Sequence, residues 1–130
     1  MILAYWCVLI AAFMPVAFAG YAKFAGKNKM PPQANAHPRA WLEQAEGAQK
    51  RAHWAQLNSQ EAFPPFAAGV IIAALAGAST TATNVLAVLF IIFRVIYGVC
   101  YIKNFATARS MVWGFAALCV VGLFIAAALG

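Results

Sequence analysis

The chain has 130 residues, of which 65% are hydrophobic and only 9% charged, with a formal net charge of +6. A soluble domain carries about a quarter charged residues, so this composition excludes an ordinary water-soluble globule, and with it a groove reader for nucleic acid despite the basic balance. It predicts one domain, residues 1–130, folded as an all-α integral membrane protein: a four-transmembrane-helix bundle.

The first span is predicted over about 2–21, within an uncharged run from Met1 to Ala22. Roughly 20 apolar residues suffice to cross a bilayer. Pro15 lies inside this span, where a freed carbonyl is tolerated if neighbours or water satisfy it. Ala17-Phe-Ala19 before Gly20 has the look of a cleavage site, but no basic residue precedes the apolar run. Lys23 onward instead supplies the flank of a retained span.

A polar loop of about 22–40 follows, carrying Lys23, Lys27, Lys29 and Arg39. Helix is expected to resume near Arg39 and continue to about Ala76, with the second span at about 50–76. Trp41 is placed at the membrane interface. The uncharged stretch Ala62–Ala76 is too short to cross alone, so the span reaches back toward Arg51 and draws Arg51, Asn58 and Glu61 into or near the membrane. At 100° per residue, Arg51, Asn58, Ala62 and Pro65 share a narrow sector, with Trp54 and Glu61 on its edge. Pro64-Pro65 is expected to kink the helix beyond that stripe. A carboxylate at this depth is costly unless it faces a bundle interior or a wet cavity, which makes Glu61 a site candidate.

Gly77 to Asn84 forms an uncharged turn into a third span at about 82–103, which contains Arg94, Tyr97 and Tyr101 on one face. A buried arginine needs an acid or several acceptors. Glu61 is the only acid at comparable depth, so Glu61 and Arg94 are expected to lie near each other within one subunit. The fourth span, about 109–129, opens on Arg109-Ser110. A cation at a helix start opposes the macrodipole, so Arg109 is either a topological anchor or the holder of an anion. Gly69, Ala73 and Gly77, and again Gly122, Ala126 and Gly130, have the four-residue spacing of small residues that permits close helix approach. Basic residues flank the first and third loops. The positive-inside bias therefore places these loops in the cytoplasm and both termini outside.

Cys7, Cys100 and Cys119 are scattered and odd in number, which supports neither a disulfide framework nor a zinc site. His37 is expected to be solvated and His53 to point away from the polar stripe; no metal is assigned.

The ordered set Asn58-x-x-Glu61 with Phe63-Pro64 and Phe66, Arg94-x-x-Tyr97-x-x-x-Tyr101, and Arg109-Ser110 on four spans resembles the MAPEG family, the membrane-associated proteins in eicosanoid and glutathione metabolism. The chain looks most like its short bacterial members, which implies a bacterial inner membrane. The resemblance implies a homotrimer with sites between neighbouring subunits, open to the cytoplasm, and glutathione as co-substrate. It also implies roles. Arg51, Asn58, Glu61, Arg94, Tyr97 and Tyr101 would bind glutathione, and Arg109 with Ser110 would stabilise its thiolate for attack on a lipophilic electrophile or hydroperoxide. Where the characterised enzymes carry further arginines, this sequence has Trp54 and Leu57, leaving Arg51, Lys50 or a neighbouring Lys23 to meet the carboxylates of the peptide. Two other readings stand beside the enzyme. In one, a non-catalytic relative uses the same polar cluster for packing or lipid binding. In the other, a small proton-coupled efflux carrier is disfavoured by an uncharged first span and by an expected Arg94 partner for Glu61.

Overall fold

In the computed structural model, which describes residues 2–26 and 28–130, the chain is helical almost throughout. Lys27, one of the basic loop residues, lies outside the described residues. The elements are α1 (Leu3–Phe24), a 3-10 turn (Pro32–Ala36), α2 (Pro38–Glu43), α3 (Gly47–Leu75), α4 (Thr80–Ile102) and α5 (Ala106–Leu129). Three of them, α1, α4 and α5, are long and apolar enough to cross a membrane. The fourth long helix, α3, is polar in its first half and apolar only beyond Glu61.

The second helix does not begin near Arg39, as the sequence suggested. Gln44 to Glu46 leave the helix, and Gly47 restarts it at φ +59°, a left-handed conformation that glycine adopts without a Cβ penalty. The ammonium of Lys50 donates back to the carbonyls of Leu42 and Glu43 and ties α2 to the new helix. Past the break, α3 continues through Pro64 and Pro65 to Leu75.

Both tight connections close with the same device. At the end of α3, the N–H of Ala78 donates to Ala73 at 3.0 Å and that of Gly77 to Ala74, with Gly77 at φ +76°. At the end of α4, Phe105 donates to Cys100 at 2.8 Å and Asn104 to Tyr101, with Asn104 at φ +64°. This paired pattern satisfies carbonyls that a helix end would leave bare, and Gly or Asn supplies the left-handed residue it requires. The Ser79 hydroxyl then caps α4 by accepting from the Ala82 amide.

In the bundle, α3 and α4 lie centrally, with α1 packed chiefly on α3 and α5 chiefly on α4. The core is built on Phe66 and Phe90, whose rings stack 3.9 Å apart across α3 and α4. Ala4, Cys7, Ala11, Ala87, Ala116, Cys119 and Leu123 surround that stack. Small residues set the spacing: Gly69 faces Leu123, Gly122 faces Leu86, and Gly98 receives the ring of Phe18. At one end, the Gln49 amide donates to the carbonyls of Ala22 at 3.0 Å and Asn28 at 2.8 Å. At the other, Asn84 Oδ1 accepts the Ala4 amide at 2.9 Å. These pins place Lys23, Lys29, Lys50, Arg51, Lys103 and Arg109 together at one end. The end holding Ile2, Gly77–Asn84 and Gly130 has no charged side chain among the described residues.

Candidate functional site

The polar residues of α3 converge on α4 about 12 Å along its axis from Ile102, taking 1.5 Å per residue over Arg94–Ile102. Arg94 is 2% exposed. Its Nη2 donates to Asn58 Oδ1 at 2.8 Å and, at the longer distance of 3.4 Å, to the Ser59 hydroxyl. Its guanidinium also stacks 4.1 Å from the ring centre of Tyr97. The expected Glu61 partner is not the one it takes. Two neutral oxygens and a π-face hold this cation, while the Glu61 carboxylate stays exposed on the surface of the single chain. The physical reason is position: Asn58 lies almost one turn nearer the basic end than Glu61, level with the reach of Arg94. The argument against a proton carrier that leaned on an Arg94–Glu61 pair therefore falls, and the uncharged α1 is what still speaks against it.

Asn58 and Glu61 form a divide between two adjoining cavities. One, of about 250 Å³, is a groove between α3 and α5 floored by Phe90 and Arg94 and walled by Ala62, Pro65, Trp113, Ala116, Ala117 and Val120. The other, of about 360 Å³, is shallower and nearer the basic end, lined by Trp54, Leu57, Asn58, Glu61, Tyr97 and Tyr101. Tyr97 and Tyr101 meet edge to face at 5.6 Å, and Trp54 lies 6.2 Å from Tyr101. Arg109 stacks on Tyr101, with its guanidinium carbon 4.4 Å from the ring centre. Such cation–π contacts are worth about 0.5–2 kcal/mol depending on desolvation. They hold Arg109 at the rim of the aromatic cavity.

Of the residues singled out in the sequence, Asn58, Glu61, Arg94, Tyr97, Tyr101 and Arg109 are thus brought into one cluster. Two are placed elsewhere within the chain. The Nε of Arg51 donates at 2.9 Å to the carbonyl of Ile102 and so completes the end of α4. Ser110 lies on the outward apolar face of α5 beside Met111, Gly114 and Leu118. His53 is buried on the far side of α3, where its Nδ1 lies 3.3 Å from Gln56 Oε1. Sequence reasoning passed over Ser59 and Trp113. Trp113 was findable, because Arg109, Trp113, Ala116 and Val120 follow the three- and four-residue spacing of one helix face.

This arrangement matches the model of the MAPEG family over residues 3–129, nearly the whole chain. The chain belongs to the MAPEG family. No curated protein and no solved structure matches it. Membership and the three crossing helices together make it an integral membrane protein. Within this MAPEG chain, the conserved-looking pattern on α3 and α4 reads as the edge of a site, with a polar divide, an apolar groove on one side and an aromatic cavity on the other.

Proposed function

We propose that this MAPEG protein is a membrane-bound, thiol-dependent transferase or peroxidase that uses glutathione or a related thiol against lipophilic electrophiles or hydroperoxides. The observation that carries the reading is the sharing of Asn58 and Glu61 by two cavities of different character. A hydrophilic thiol enters the aromatic cavity from the basic end, and a lipophilic partner enters the groove between α3 and α5 from the bilayer. Arg109, held on Tyr101, faces the sulfur. A free thiol with a pKa of about 8.5 is mostly protonated at neutral pH. A guanidinium within about 4–6 Å favours the thiolate. The thiolate sulfur then bonds to the electrophilic carbon and expels its leaving group, or takes the terminal oxygen of a hydroperoxide and leaves an alcohol. No residue of the chain becomes a covalent nucleophile.

The working assembly in this reading is a homotrimer of four-span subunits in a bacterial inner membrane, with both termini outside and the basic loops cytoplasmic. Two features support it. The polar half of α3 and the exposed Glu61 are costly in contact with lipid, and a neighbouring subunit would enclose both cavities. The segregation of lysines and arginines to one end supports the orientation.

Stopped-flow absorbance near 240 nm tests the reading directly. Saturating glutathione is expected to raise a thiolate signal in the wild-type protein that Arg109→Ala removes. A signal that survives Arg109→Ala, or none in wild type, removes the mechanism. A second reading, a non-catalytic relative, is favoured by the Arg94–Asn58–Ser59 bonds, which satisfy the buried cation without any ligand. A melting point unmoved by millimolar glutathione would select it, since a ligand bound only by the folded state must raise that temperature.

A further inference from the structure

The aromatic cavity is unusual in what charges it presents. Of its six lining residues, Glu61 alone is charged, and Trp54, Leu57, Tyr97 and Tyr101 form most of the wall. Each cation nearby is turned to another task. Lys50 binds the carbonyls of Leu42 and Glu43. Arg51 binds the carbonyl of Ile102. Arg94 is buried behind Asn58 and Tyr97 and shows itself only to the apolar groove. Arg109 lies on Tyr101 at the rim.

A ligand in this cavity therefore meets one carboxylate and several aromatic faces, but no guanidinium or ammonium in the wall itself. A ligand ammonium is favoured twice, by the charge of Glu61 and by the negative faces of the rings. A ligand carboxylate set against Trp54 and Leu57 loses water and gains no donor, which is unfavourable. An α-carboxylate next to that ammonium still has a route to Arg94 through the adjoining groove. A second carboxylate, at the far end of the molecule, has none.

Resting on the thiol-dependent reading above, we propose that the co-substrate is selected as an aminothiol: its ammonium is held by Glu61 within the Trp54–Tyr97–Tyr101 wall, and a distal carboxylate contributes nothing to binding. The class of co-substrate is then wider than glutathione and includes thiols that carry an amine and one carboxylate or none.

Isothermal titration of the full detergent-solubilised chain with three probes tests this. Glutathione and its glycyl ethyl ester are expected to bind with Kd values within threefold of each other. N-acetylglutathione, which lacks the ammonium, is expected to bind at least tenfold more weakly. Glu61→Gln should abolish the preference for glutathione over its N-acetyl form. Trp54→Arg, at a position 44% exposed, should create at least a fivefold preference for glutathione over the ester. An ester that binds more than threefold more weakly to wild type overturns the proposal while leaving the enzyme reading intact, because a cation from a neighbouring subunit then holds that carboxylate. An N-acetyl form that binds within threefold of glutathione overturns it too. If none of the three probes binds, both readings fail together. The wild-type comparisons do not depend on either variant folding.

Discussion

Arg94 Nη2 lies 2.8 Å from Asn58 Oδ1, and this bond joins α4 to α3 inside a bundle whose core is otherwise apolar. It decides how the site is held. Asn58 is fixed from behind by a buried cation, and Glu61, one turn further along, is left free to face the two cavities.

Removing one partner of that bond should cost more than removing both. Asn58→Leu leaves a desolvated guanidinium with only the longer Ser59 contact, a loss of about 1.5–3 kcal/mol for a charge-assisted bond. Adding Arg94→Met to Asn58→Leu should recover most of the lost melting temperature, since no orphaned polar group then remains. Strictly additive losses in thermal unfolding would show that the two side chains are not coupled.

Gly98 is a contact glycine. A Cβ placed there would come within 2.0 Å of the tip of the Phe18 ring. Gly98→Ala must therefore push the half-buried ring out of its notch between α1 and α4, with a cost of about 1–3 kcal/mol for overpacking. In a Phe18→Ala background the same substitution should be almost neutral. Equal destabilisation in both backgrounds would place the strain elsewhere.

Arg51 is expected to act on α4 before it acts on any ligand. Arg51→Met removes the donor to the Ile102 carbonyl, a loss of about 1 kcal/mol for a partly exposed bond. Hydrogen exchange should quicken at Lys103–Phe105, where the chain turns toward Arg109. Unchanged exchange there would return Arg51 to the cavity as a direct ligand partner.

The orientation is open to labelling, because Cys7, Cys100 and Cys119 are all buried and give a low background. In intact bacterial cells, a membrane-impermeant maleimide should label Ser79→Cys and leave Lys103→Cys untouched until the membrane is opened. The reverse pattern would invert the topology.

Several parts of this architecture were legible in the sequence for simple reasons. Uncharged runs locate α1, α4 and α5, because burying charge in hydrocarbon is too costly to be hidden in composition. Gly77 and Ser79 mark the turn between α3 and α4 by their chemistry as a left-handed residue and a cap. The three- and four-residue spacing of Arg94, Tyr97 and Tyr101 put them on one face, and they share that face in the fold. The break before Gly47 was not legible, because Gln44 to Glu46 are all acceptable in a helix and only the chain reversal explains why they leave it.

What the sequence by itself determined is the set of helices, their membrane character and the family, because these follow from hydrophobic runs and from side-chain order along single helices. The tertiary structure alone decided who meets whom. Arg94 found Asn58 and Ser59 instead of Glu61, Arg51 turned to Ile102, and Ser110 faced away from Arg109 within the chain. The physical reason is that a pairing between helices depends on the rotation and axial offset of each, and those are set by Phe66 on Phe90 and by glycines such as Gly98, not by the charges themselves.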